Sequence, residues 1–249
     1  MPEPLLRTHQ LVKRFGAHRA VDGVDLGVRP GALHAIIGPN GAGKTTLFNL
    51  LSGELRPTTG TIALNGRDVT RLDATSRSHL GMGRSFQRTN VFPNLTVFEN
   101  VRLAAQSRTR ASFDVFGAAQ AHADVNARAE SVLAEFGLGA QRTLLASELA
   151  GGDQRLLELA ITLATDPALL LLDEPSQGLS PEDARRLIDR IGTLRDRYTI
   201  VLIEHNMPLV MTLADEITVM NFGRVLAHGT PAEIRANADV RAAYLGKAP

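Results

Sequence analysis

The 249-residue chain has no cysteine and no tryptophan, two tyrosines, and almost no net charge, with 27 basic side chains against 26 acidic ones. Each shortage closes a class of function. Without cysteine there is no disulfide scaffold, no thiolate metal site and no cysteine nucleophile. A formal charge of +1 lacks the basic excess with which a general nucleic-acid binder neutralises phosphates, so no nucleic-acid partner is expected. No run approaches the ~18 consecutive apolar residues of a membrane span. The opening stretch MPEPLLRTHQLVKRF carries no apolar segment of signal-peptide length, so nothing points to export. Lysine is scarce too: Lys13, Lys44 and Lys247 are the only three, which makes a lysine-based motif hard to meet by accident. What remains is 44% apolar residues and, at about 150 residues per domain, length for one large domain or two small ones. The chain reads as a soluble, cytoplasmic, mixed globular protein.

Short buried runs alternate with helix-like stretches. Leu33–Ile37 reads as a strand, followed at once by a glycine-rich turn and a helix from Lys44 to Leu51. Ala168–Leu172 and Thr199–Ile203 read the same way, closed by Asp173-Glu174-Pro175 and Glu204-His205. Between them Leu187, Ile188, Ile191 and Leu194 recur at helical spacing within Pro181–Arg195. Apolar strands separated by amphipathic helices predict an α/β fold with a mostly parallel sheet. Ile217–Met220 and Arg224–Ala227, joined by Asn221-Phe222-Gly223, predict an antiparallel flank. From about Asn90 to Ala164 the chain is alanine-rich and reads as an inserted helical subdomain, with a poorly patterned loop or insertion near 107–120.

Gly38-Pro39-Asn40-Gly41-Ala42-Gly43-Lys44-Thr45-Thr46 matches G-x-x-x-x-G-K-[ST] in the required context, a strand entering and a helix leaving. Its glycines allow positive φ and let backbone N–H groups converge on an anion. The helix start adds partial positive charge, Lys44 a full charge for the β/γ-phosphates, and the Thr45 hydroxyl a ligand for Mg²⁺. The chain is expected to bind a nucleoside triphosphate. Asp173, at the end of a strand, is placed to hold hydrated Mg²⁺, and Glu174 to polarise a water for attack on the γ-phosphate. Taken without the phosphate loop, Asp-Glu-Pro could equally be a solvated turn. His205 could donate to the γ-phosphate or simply serve the structure, and Gln87 alone is not diagnostic.

As a set, these residues resemble the ATP-binding cassette family of transport ATPases, over almost the whole chain from Leu5 to Gly246. The resemblance implies one P-loop NTPase domain over 5–246, with an α/β core at 5–88 and 165–246 and a helical subdomain at 89–164. It implies that Phe15 stacks on adenine, although a core residue on a strand reads identically. Gln87 becomes the glutamine that touches Mg²⁺ and the lytic water, Asp173 the Mg²⁺ aspartate, Glu174 the general base and His205 the switch histidine. The family's signature, usually Leu-Ser-Gly-Gly-Gln, stands here as Leu149-Ala150-Gly151-Gly152-Asp153. It would close over ATP held by the other subunit of a head-to-tail dimer. Ala150 lacks the serine hydroxyl, and a carboxylate at Asp153 is less welcome near triphosphate than an amide, so weaker ATP-driven dimerisation is expected. Gly178-Leu179-Ser180-Pro181 departs as well, lacking the aspartate usual after leucine.

The Gly83–Gln87 stretch, Phe92-Pro93-Asn94-Leu95-Thr96-Val97-Phe98-Glu99-Asn100, Gln154-Arg155-Leu156-Leu157-Glu158, and the closing Gly229–Ile234 and Ala243–Gly246 are similar to ATP-binding subunits of branched-chain (hydrophobic) amino-acid uptake systems. The implied partners are a second copy or a homologous ATPase subunit, integral-membrane permease subunits and, indirectly, an extracytoplasmic solute-binding protein. The implied location is the inner face of the cell membrane. Val91, Phe92 and Leu95, with Glu99 beside them, are the expected docking surface for a permease helix, unless they pack within the helical subdomain. The same engine in lipid or lipopolysaccharide export or urea uptake, a non-transport cassette ATPase, and a small-molecule kinase are the competing readings. A kinase gives no reason for Leu149–Asp153.

Overall fold

The computed structural model describes residues 3–85, 91–107 and 119–245. The chain divides into two compact units, Met1–Met82 with Ala168–Glu174 and Leu194–Pro249, and Gly83–Pro167 with Pro175–Thr193.

The first unit holds one sheet whole and a second apart from Gly83 and Arg84 at the end of its edge strand. Strands β1 (Leu6–Phe15), β2 (His18–Val28), β4 (Thr59–Leu64) and β5 (Arg67–Asp68) form an antiparallel sheet in the order β2-β1-β4-β5. The other runs β10-β9-β3-β8-β7-β6, with β3 (Leu33–Ile37), β6 (Met82–Arg84), β7 (Leu169–Asp173), β8 (Thr199–Ile203), β9 (Glu216–Asn221) and β10 (Arg224–Gly229). β3, β7 and β8 are buried along their whole length, as strands covered on both faces must be. Each pairs in parallel, β8 lying between β7 and β3, and β9 on the far side of β3. Ile203 pairs with both Ile36 and Asp173, so the carboxyl ends of β3, β7 and β8 finish level at one edge. Crossover ends of a parallel sheet are where ligands bind in α/β folds. β10 turns back antiparallel on β9, as the sequence predicts, while β9 itself runs parallel to β3.

Helix α1 (Lys44–Ser52) follows β3, and its Leu47, Phe48 and Leu51 share one apolar cluster with Leu6, Val21 and Ile62 of the antiparallel sheet and Leu171 and Val201 of the parallel one. Each such buried side chain contributes roughly 1.5–3 kcal/mol. Gly53 ends α1 in the left-handed region at φ 86. Arg77, on α2 (Ala74–His79), is fully buried and donates to the Leu50 and Leu51 carbonyls at 2.7 and 2.6 Å. It caps the end of the helix whose other end opens the phosphate loop. Burial pulls its guanidinium down to about 10, well above any working pH, so it stays charged. Helices α7 (Met207–Leu213), α8 (Pro231–Ala236) and α9 (Ala238–Leu245) complete this unit.

The second unit is helical. α3 (Val97–Gln106), α4 (Ala119–Phe136) and α5 (Gly151–Ala164) pack on one another through Val97, Val101, Val132, Leu133, Leu156 and Leu163, all buried. α6 (Pro181–Leu194) also belongs here except for its last residue, and buries Leu187 and Ile191 of its apolar stripe. Of the loop expected near 107–120, Ser107 caps α3 and Ala119 already opens α4; the remainder lies outside the described residues. No helix among the described residues is long and apolar enough to cross a membrane.

Candidate nucleotide site

β3 delivers the chain into Gly38, whose φ of 155° brings its Cα so near the Met220 carbonyl that a Cβ would collide with it. Gly43, at φ 96°, caps α1 and meets the Ala20 carbonyl in the same way. These two positions need glycine, whereas around Gly41 there is open space. The loop is held from behind: the Gly223 amide donates to the Ala42 carbonyl at 3.0 Å, and the Ala42 amide to Pro39 at 3.1 Å. Lys44 is 7% exposed, and its ammonium donates to the Gly38 and Pro39 carbonyls at 2.7 and 3.1 Å. Burial lowers its pKa, opposed by the carboxylates of Glu174 and Asp173. Thr45 and Asn40 are exposed and Thr46 half-buried. Phe15, Ala20, His18, Asn40 to Thr46 and Glu174 line a cleft of about 490 Å³, a volume in the range of small-molecule sites. Phe15 is 50% exposed at the end of β1, with the Lys13 ammonium 5.3 Å from its ring centre. A half-exposed ring at the cleft is available for stacking in a way that a core phenylalanine is not.

Asp173 is the last residue of β7 and is buried; Glu174 follows in the left-handed region at φ 45°, its amide donating to the Ile203 carbonyl at 2.9 Å. A non-glycine residue held there stores backbone strain of order 1–3 kcal/mol. The His205 Nδ1 lies 3.8 Å from the Glu174 carboxylate and 3.9 Å from that of Glu204. Glu204, which sequence reasoning passed over, is fully buried and accepts from the His205 and Asn206 amides at 3.2 and 3.5 Å, fixing the turn that presents His205. His18 was also missed: nothing in its local sequence marks it as a cleft residue. The hydroxyl of Tyr244 on α9 is buried, and burial pushes its pKa up to about 12. Gln87 lies outside the described residues.

In the second unit, Leu149 is buried and Ala150 is the N-cap of α5, with no side chain capping the helix. Gly151, Gly152 and Asp153 form its first turn, with partial positive charge on their amides. The Gln154 side chain donates back to the Ala146 and Leu149 carbonyls, which fixes the approach to the helix. The Asp153 carboxylate is turned onto Arg186 at 3.0 Å. Val91 and Leu95 are half-buried and Phe92 is 61% exposed. Buried Asn100 shapes their loop, donating to the Phe92, Leu95 and Thr96 carbonyls and accepting from the Phe92 amide. The Leu144–Ser147 segment is hydrogen-bonded to the same loop and adds Leu144 and Leu145, both about two-fifths exposed, to the apolar surface. Glu99 spends its carboxylate on a capping box with Thr96, whose amide and hydroxyl hold it below the usual carboxylate range. It is a helix cap, so reversing its charge would perturb α3 as well as any docking.

The ABC transporter family model matches residues 21–177, and a model described as branched-chain amino acid ATP-binding cassette transporter matches residues 224–249. The chain is 43% identical to the high-affinity branched-chain amino acid transport ATP-binding protein LivG of Salmonella typhimurium, covering 100% of both chains. It is 40% identical to BraF of Pseudomonas aeruginosa, a protein of the same description, again with 100% of both covered. Among solved structures, the ADP conformation of MJ1267, an ATP-binding cassette of an ABC transporter, superposes with a TM-score of 0.84 at 28% identity, over 99% of this chain and 100% of that one.

Proposed function

The chain belongs to the ABC transporter family as an ATP-binding, ATP-hydrolysing subunit, and from that premise we propose that it powers uptake of branched-chain or similar hydrophobic amino acids. The solute class is supported by full-length identity to the LivG and BraF proteins and by the C-terminal model at 224–249. The hydrolytic reading is carried by one observation: β3, β7 and β8 end level, so the phosphate loop, Asp173, Glu174 and His205 leave from one sheet edge.

In this reading Phe15 takes the adenine face, and the loop amides and the α1 N-terminus take the phosphates. Lys44 leaves its two carbonyl acceptors for the β/γ-phosphates. The Glu174 carboxylate accepts a proton from the attacking water, its position fixed by the backbone bond to Ile203. His205, 3.8 Å away, steadies that carboxylate and donates to the γ-phosphate. The Thr45 hydroxyl and the Asp173 carboxylate are hard oxygen donors that suit Mg²⁺, with Gln87 as a third ligand. Mg²⁺ would neutralise charge developing on the phosphates.

ABC ATPase cassettes work as dimers with membrane permease subunits. For this chain we assign the second cassette to a copy or a homologous subunit whose Leu149–Asp153 covers the ATP. The permease helix is assigned to the surface of Val91, Phe92 and Leu95, which Leu144 and Leu145 extend, and the location to the inner face of the membrane. Vesicles reconstituted with the full assembly and its solute-binding protein test this. ATP-driven leucine uptake is expected, and Phe92→Ala with Leu145→Ala should abolish uptake while sparing ATP binding. Uptake of urea but not leucine, or ATP-driven lipid export, would replace the solute assignment.

A further inference from the structure

The carboxylate at Asp153 poses a physical difficulty, because it stands in the first turn of a helix whose N-terminus is read as a cover for another subunit's triphosphate. Asp183 compounds it. Its carboxylate occupies the space that a Cβ on Gly152 would need, so a second negative group lies against the same turn. Asp183 is held there from both sides: its amide donates to the Ser180 hydroxyl at 3.1 Å, and that hydroxyl donates to its Oδ2 at 2.8 Å. Arg186, one turn further along α6, donates from Nη2 to the Asp153 Oδ1 at 3.0 Å and places Nη1 3.5 Å from the Asp183 Oδ1. One guanidinium thus attends both carboxylates, and its fork geometry suits that task where a lysine's point charge would not.

We propose that Arg186 is a positioning residue for the signature loop, holding Asp153 aside and offsetting its charge so that the Gly151 and Gly152 amides can receive the terminal phosphate of ATP bound to a second copy of this chain. The proposal rests on the reading of Leu149–Asp153 as the signature. It makes the departures at Asp153 and Ser180 parts of one arrangement: Ser180 fixes Asp183, Asp183 and Asp153 share Arg186, and the helix N-terminus keeps its attraction for an anion. Arg186 is about half exposed, and such a pair contributes little to folding stability, so its effect belongs to association.

The test is sedimentation velocity of the full-length Glu174→Gln protein with ATP and Mg²⁺, beside Arg186→Gln, Asp153→Asn and both together in that background. Arg186→Gln should weaken the ATP-driven dimer by about tenfold or more, the size expected when a carboxylate is left to face phosphate. Adding Asp153→Asn should return affinity to within about threefold of the parent, and Asp153→Asn alone should not weaken it. ATP binding to the monomer, read with a fluorescent analogue, should stay constant throughout. Unchanged dimerisation in Arg186→Gln, or a double variant as weak as Arg186→Gln, overturns the proposal. A parent that does not dimerise with ATP overturns the signature reading beneath it, a separate and recognisable result.

Discussion

Ala150 carries the plainest consequence at the scale of one residue. It is the N-cap of α5 with ψ 156°, the extended geometry from which a serine hydroxyl accepts a bond from the first-turn amides, and alanine has nothing to offer there. Ala150→Ser should therefore raise the protein's stability by about 0.5–2 kcal/mol through the cap alone. On the proposed signature reading of Leu149–Asp153, it should also tighten the ATP-driven dimer of the Glu174→Gln protein. Urea unfolding and sedimentation read the two effects separately. A stability gain with unchanged dimer affinity would confine the hydroxyl to capping. Glu174 shows the opposite economy: its left-handed backbone is unfavourable for a carboxylate residue, and a rigid neighbouring strand maintains it.

At the scale of elements, α1 links packing to chemistry. Its first turn presents Lys44 and Thr45, its middle fills the core of the first unit, and its last carbonyls depend on Arg77. Replacing Arg77 by methionine keeps most of the volume but removes the side-chain donor of both carbonyls, leaving the Leu50 carbonyl only the Gly53 amide. The expected loss is about 2–3 kcal/mol in urea unfolding. A loss under about 0.5 kcal/mol would show that water or another side chain satisfies the helix end. Such elements were unequally legible in the sequence. β3, β7 and β8 are continuous apolar runs and announce themselves, and the phosphate loop is encoded by spacing. The antiparallel sheet is harder to read because its alternation is broken by bulges, with register shifts between Thr8 and Leu11 and between Leu11 and Val12 and a left-handed Gln10 at φ 45°. Arg77, Asn100, Glu204 and Arg186 could not be read at all, since each takes its meaning from partners that only the fold brings near. Of the Gly83–Gln87 stretch, Gly83 and Arg84 lie in β6, and Phe86 and Gln87 lie outside the described residues.

At the scale of the whole molecule, no helix among the described residues is long and apolar enough to cross a membrane, and on the proposed reading solute recognition and the membrane path belong to other subunits. Within the chain, the phosphate loop, Asp173, Glu174 and His205 belong to the first unit, and the signature helix, Arg186 and the Phe92–Leu145 surface to the second. On the proposed reading neither set finishes a catalytic cycle alone, since the signature serves a neighbour's ATP. The central claim is that Lys44 secures ATP and Glu174 drives its hydrolysis. It is tested most directly by the steady-state ATPase rate of the assembled membrane complex, measured together with the identity of the nucleotide retained. The parent should turn over and hold ADP after hydrolysis; Lys44→Ala should retain no nucleotide. Glu174→Gln should retain intact ATP while hydrolysing it at least about a hundredfold more slowly. A Glu174→Gln complex that hydrolyses ATP at the parental rate would contradict the account.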